Sequence, residues 1–140
     1  RSPAAAHGRM NFIYGWHPLE IGALMDDHRL AIHTSYSTPA IFSRCRGSSR
    51  LVLYRGAWWC VVHFVKYCTP RVYAHSVLRL DQDTLRLVAF SAPFSFCENK
   101  IEYCIGFDLA DETATFFFSR NDTNGSMIRL PLSALRMIPC

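Results

Sequence analysis

The stretch Ala57-Trp58-Trp59-Cys60-Val61-Val62-His63-Phe64-Val65 decides the fold. Successive side chains of a strand point to opposite faces, and here both faces are apolar as far as His63. The run is short and rich in aromatic and β-branched residues, which favours strand over buried helix. A strand that is oily on both faces must be covered on two sides, as in a stack of sheets. Residues 51–54 precede it, and Arg55-Gly56 between the two reads as a hairpin turn.

Working outward, short apolar runs alternate with turn signals along the whole chain. Residues 11–16 form a strand stopped by His17-Pro18. Residues 19–24 form a second, and Asp26-Asp27 turns into a third over 29–35. Pro39 and residues 46–49 mark a longer connection. After the central hairpin, 71–80 returns, Asp81-Gln82-Asp83 turns, and 85–90 follows. Ser91-Ala92-Pro93 then breaks the chain before a short strand at 94–96. Residues 101–109 and 113–119 form the next pair, the latter carrying Phe116-Phe117-Phe118. A polar turn at 121–125 leads to a strand at 126–130, and 131–135 closes with a short helical turn. No long segment sustains a helical period.

The expected fold class is therefore all-β, with antiparallel four-stranded units. Two of these units share an outline of polar first strand, long buried strand and outer strand. Repeats of about 40–50 residues with four strands are the signature of propeller blades. Residues 1–10 read as a flexible tail, and 11–140 as a propeller segment of about two and a half blades. The competing architecture is a compact β-sandwich or barrel. Blades bury their faces only against neighbours, so a partial ring implies another copy of the chain, a larger protein completing it, or further blades.

Half of the 140 residues are hydrophobic and 19% are charged, which excludes global disorder. The net charge of +4 is mild, and the basic residues are scattered without a run, so nucleic acid is not an expected partner. No apolar stretch reaches the length of a membrane span, and no signal peptide is visible. The six cysteines, Cys45, Cys60, Cys68, Cys97, Cys104 and Cys140, include no Cys-x-x-Cys pair. Cys60 and Cys104 lie in buried strands, which favours reduced thiols and a cytoplasmic setting; two sequons at Asn121 and Asn124 leave the compartment open. The histidines are too dispersed to compose a metal site, and no metal or other cofactor is expected. No Gly-x-Ser-x-Gly elbow exists, and buried cysteines make poor nucleophiles.

Five segments carry a family resemblance. They are Phe12-Ile13-Tyr14-Gly15-Trp16-His17-Pro18, Arg46-Gly47-Ser48, Trp59 to His63, Ile101-Glu102-Tyr103-Cys104-Ile105-Gly106 and Ser119-Arg120-Asn121-Asp122. In this order they resemble the later blades of the five-bladed propellers in family 130 of the glycoside hydrolases, the β-mannoside phosphorylases and mannosidases. The chain is similar above all to propeller domains found beside glycosyltransferases. The resemblance implies that Arg46 and His63 lie at a central pocket for phosphate or sugar, and that Asp122 matches an acidic turn residue. The family's general acid belongs to an earlier blade with no counterpart here.

Apart from the family, strand ends that converge in a propeller bring together a polar cluster. Arg46, Ser48, His63, Lys66, Arg71, Tyr103 and Asn121 are the expected ligand-binding residues, joined by Tyr73 and His75. Glycoside hydrolysis needs a proton donor and usually a second carboxylate; Glu102 and Asp122 are the candidates near these mouths. Arg46, His63 and Lys66 would serve a cationic clamp for phosphate. Trp16 and Tyr103 would offer flat faces to sugar rings. Against these stand structural roles: His63 as a hydrogen-bonded core histidine, Glu102 ion-paired with Arg46 or Arg71, and Asn121-Asp122 as ordinary turn chemistry. The expected function is a carbohydrate-binding or scaffolding module associated with glycan synthesis, with a glycan as ligand. A glycoside-active enzyme completed by another chain is the first alternative, and a protein-interaction propeller the second.

Overall fold

The computed structural model describes residues 10–66, 71–96, 101–121 and 124–140. The expected tail at 1–10 therefore lies outside the described residues except for Met10. Strands β1 (Asn11–Trp16), β2 (Leu19–Leu24) and β3 (Leu30–Tyr36) form a first antiparallel sheet in sequential order. The second sheet has the order β12-β8-β7-β6-β4, with β5 also paired to β6. Its strands are β4 (Cys45–Gly47), β5 (Val52–Tyr54), β6 (Ala57–Lys66), β7 (Val72–Asp81), β8 (Leu87–Ser91) and β12 (Met137–Pro139). The third sheet is β11-β10-β9, from β9 (Glu102–Ala110), β10 (Thr113–Arg120) and β11 (Asn124–Pro131). Every pairing is antiparallel, and no α-helix occurs among the described residues. The protein is all-β.

Local chemistry sets the turns. Arg55 and Gly56 both adopt positive φ, the conformation of a two-residue turn whose twist suits a hairpin. Asp111 and Glu112 do the same between β9 and β10. Asp81 Oδ1 accepts from the Asp83 and Thr84 backbone N–H groups at 3.0 and 2.8 Å, closing the turn after β7.

The central strand β6 is buried on both faces. Cys60 and Val62 face the first sheet, where they join Leu19, Ile21, Phe42, Leu78 and Leu80 in one core. Trp59 and Val61 face the third sheet and join Val77, Cys104, Phe107, Ala114 and Phe116 in another. Three sheets are thus stacked with two cores between them. The outward faces of the flanking sheets stay apolar and exposed: Leu24, Leu30 and Ile32 on the first, Ile105, Phe117 and Met127 on the third.

The sheets hold three, six and three strands rather than the expected four each, and two local elements also differ from the sequence reading. Residues 94–96 do not form a strand; only Phe94 pairs, exchanging two backbone bonds with His75, while the Phe96 N–H turns to Glu102. The terminal β12 was not expected, and it returns to pair with β8 at the edge of the second sheet. Its local sequence, Met137-Ile138-Pro139, is too short to announce a strand.

Candidate functional site

The second and third sheets have two distinct ends. At the turn end, Arg55 and Glu112 form an ion pair, and the Tyr54 hydroxyl accepts from the Glu112 N–H at 2.9 Å. At the other end the core gives way to polar side chains. The ladder sets Arg46 opposite His63, and His63 opposite His75. His63 follows Trp59 and Val61 at two-residue steps, so these side chains share the face turned to the third sheet.

His63 is buried, and its Nδ1 lies 2.8 Å from the Ser48 hydroxyl. Burial and the Arg46 guanidinium hold its pKa below the usual imidazole value, so it is neutral at pH 7. A Ser–His contact of this length resembles a nucleophile and its base. The Ser48 and Ser49 backbone N–H groups are nevertheless both spent on the Val61 carbonyl, at 3.0 and 3.2 Å. They are unavailable as oxyanion donors, so the contact orients the imidazole rather than arming the serine.

Tyr103 meets His63 edge-on with ring centroids 4.9 Å apart, and Tyr73 stands 6.0 Å from His63 and 6.3 Å from Tyr103. Behind them His75 is sealed from solvent. Its Nε2 accepts from the Cys104 N–H at 3.1 Å, which leaves the proton of the neutral ring on Nδ1, where no partner exists among the described residues. Burial, reinforced by His63, lowers its pKa to about 4. Phe96 and Phe94 cover the ring at 4.7 and 6.3 Å.

The remaining expected residues are divided. Glu102 is fully buried; its carboxyl accepts from the Phe96 N–H at 2.8 Å and lies opposite Arg120 in the ladder. Among the described residues Arg46 makes no ion pair, so the expected Glu102–Arg46 pairing is not present. Asn121 is exposed in the left-handed turn after β10, its N–H bound to the Ile101 carbonyl at 2.9 Å. Lys66 ends β6 and lines a separate groove with Arg44, Arg46 and Phe64. Arg71 is exposed just before β7. Asp122 lies outside the described residues, so its separation from Glu102 has no value here. Trp16 and Tyr103 do not share a pocket: Trp16 lies between β1 and β4, on the first-sheet side.

Arg46, Ser48, His63, Tyr73, His75 and Tyr103 are therefore gathered at one end of the gap between the second and third sheets. Neutral imidazole, hydroxyls and a guanidinium supply donors and acceptors beside aromatic edges. Cys45, Cys60, Cys104 and Cys140 are free thiols, and burial pushes Cys45 to about 12, Cys104 to about 11 and Cys60 higher still. No group of three or more metal-ligating side chains occurs among the described residues. Among the described residues, no helix is long and apolar enough to cross a membrane. The unpaired Nδ1 of His75 was invisible to sequence reasoning, because it depends on the β6–β7 register and on Cys104 arriving from another sheet. No family profile, curated protein or solved structure matches the chain.

Proposed function

We propose that this chain is a carbohydrate-binding segment of a β-propeller, acting as a recognition or scaffolding module in glycan synthesis. The observation that carries the reading is the polar, aromatic end of the gap between the second and third sheets. Saccharides are bound by hydroxyl-matching donors and acceptors beside aromatic surface, and Arg46, Ser48, His63, Tyr73 and Tyr103 are of that kind. The propeller reading is supported by three stacked antiparallel sheets, in chain order apart from β12, with apolar outer faces exposed. Two copies set head to tail bring the sheet count within the roughly four to eight blades of closed rings.

Binding is preferred over glycoside cleavage because Glu102 is sealed and engaged by a backbone N–H, without the access a proton donor requires. A glycan array probed with the full chain tests the reading. Saccharide retention that is lost in His63→Ala and Arg46→Ala, with folding intact, is the expected result. Unchanged retention in both variants, or none by the parent, overturns it. Capture of proteins with no saccharide response would favour the interaction alternative.

A further inference from the structure

Strand β1 is the edge of the first sheet and β4 the edge of the second, and a groove of about 710 Å3 runs between them. Tyr14 and Trp16 line it from β1; Arg46, Gly47 and Arg50 line it from β4 and the loop that follows. The Trp16 indole lies against Gly47, its Nε1 3.7 Å from where a Cβ on that glycine would stand. That distance is ordinary van der Waals contact, so the ring packs directly over the β4 backbone at Gly47.

The charges in this groove are one-sided. Among the described residues no carboxylate lines it, and Glu20, the ladder partner of Gly15, sits beside that glycine and outside the lining. Among the described residues, neither the Arg46 nor the Arg50 side chain has an ion pair or hydrogen bond, and the Trp16 indole N–H has no acceptor. Arg50 offers a guanidinium here, and Trp16 an indole N–H, without a matching acceptor among the described residues.

Guanidinium groups bind planar oxyanions in a bidentate manner, while tyrosine and tryptophan rings accept the apolar face of a flat ligand. We infer that the β1–β4 groove binds a saccharide bearing an oxyanion, with Arg50 on the anionic group and Tyr14 and Trp16 against the sugar ring. This rests on the carbohydrate reading above and adds to it a second site, on the first-sheet side of β4, for acidic sugars.

Titration of the full chain, followed by intrinsic tryptophan fluorescence and by calorimetry, tests the inference. The probes are a hyaluronan tetrasaccharide, a sulfated lactose and mannose 6-phosphate, which separate carboxylate, sulfate and phosphate sources. Cellotetraose, inorganic phosphate and a uridine oligonucleotide are the controls. At least one acidic saccharide should bind roughly tenfold or more tightly than the neutral one, as expected for charge-assisted pairing. Arg50→Gln, a surface change away from His63, should remove most of that advantage and leave the fold intact. Equal binding of cellotetraose with no effect of Arg50→Gln overturns this inference and leaves the carbohydrate reading standing. Binding of no saccharide overturns both. Inorganic phosphate or the oligonucleotide binding as tightly as every acidic saccharide also overturns the inference.

Discussion

Val61 and Val62 are adjacent in sequence, both sealed from solvent, and belong to different cores. Truncating either to alanine removes the equivalent of two methylene groups, worth about 0.8 kcal/mol each in transfer free energy. The void left behind adds on the order of 1 kcal/mol where neighbours do not collapse into it. Val61→Ala and Val62→Ala are each expected to cost about 2–3 kcal/mol. The two side chains point to opposite faces, so the double variant should lose nearly the sum. Urea unfolding by circular dichroism measures this as a lower midpoint at unchanged slope. In a two-layer sandwich one of the two faces would meet solvent and its valine would be nearly neutral. A cost below about 0.5 kcal/mol for either variant therefore refutes the three-sheet stack.

Acid should destabilise the fold through His75. Its folded pKa of about 4 lies below the ordinary 6.5, so the unfolded chain binds more protons between those values. Stability is full above pH 6.5 and is lost as pH falls towards 4, by on the order of 3 kcal/mol, with His63 contributing in the same direction. His75→Gln should flatten this limb in urea midpoints taken from pH 7.5 to 4; an unchanged limb assigns the protons elsewhere. Alkylation at neutral pH, mapped by mass spectrometry, should modify exposed Cys140 before Cys60 and Cys104, which are spared until the chain unfolds. Rapid native labelling of Cys60 would contradict the burial of β6. Glu102→Ala strands the buried Phe96 N–H and should cost about 1–3 kcal/mol, whereas Glu102→Gln retains an acceptor and saccharide binding. Loss of turnover in Glu102→Gln, against a parent that turns over mannosides, would instead favour the enzyme alternative.

The sheets were legible where physical signals were local. The doubly apolar run of β6, the Arg55-Gly56 turn and the Asp81 turn each announce themselves within a few residues. The long-range pairings did not. β12 finds β8 from far along the chain, and nothing in Met137-Ile138-Pro139 marks that destination. Phe94 and Phe96 read as a strand because their side chains enter the core, yet Glu102 takes the Phe96 N–H from the ladder. At the site, Arg46, His63 and Tyr103 could be grouped because each sits at a strand end. The burial of Glu102 and the separation of Trp16 from Tyr103 depend on how neighbouring sheets stack, which no single segment encodes.

Heteronuclear NMR during titration with a saccharide retained on the array offers the most direct trial of where sugar is recognised. Resonances of Arg46, Ser48, His63 and Tyr103 should shift together, while Tyr54, Gly56 and Glu112 at the far turns stay fixed. Shifts confined to those turns, or scattered over the exposed outer faces, would contradict the proposed site.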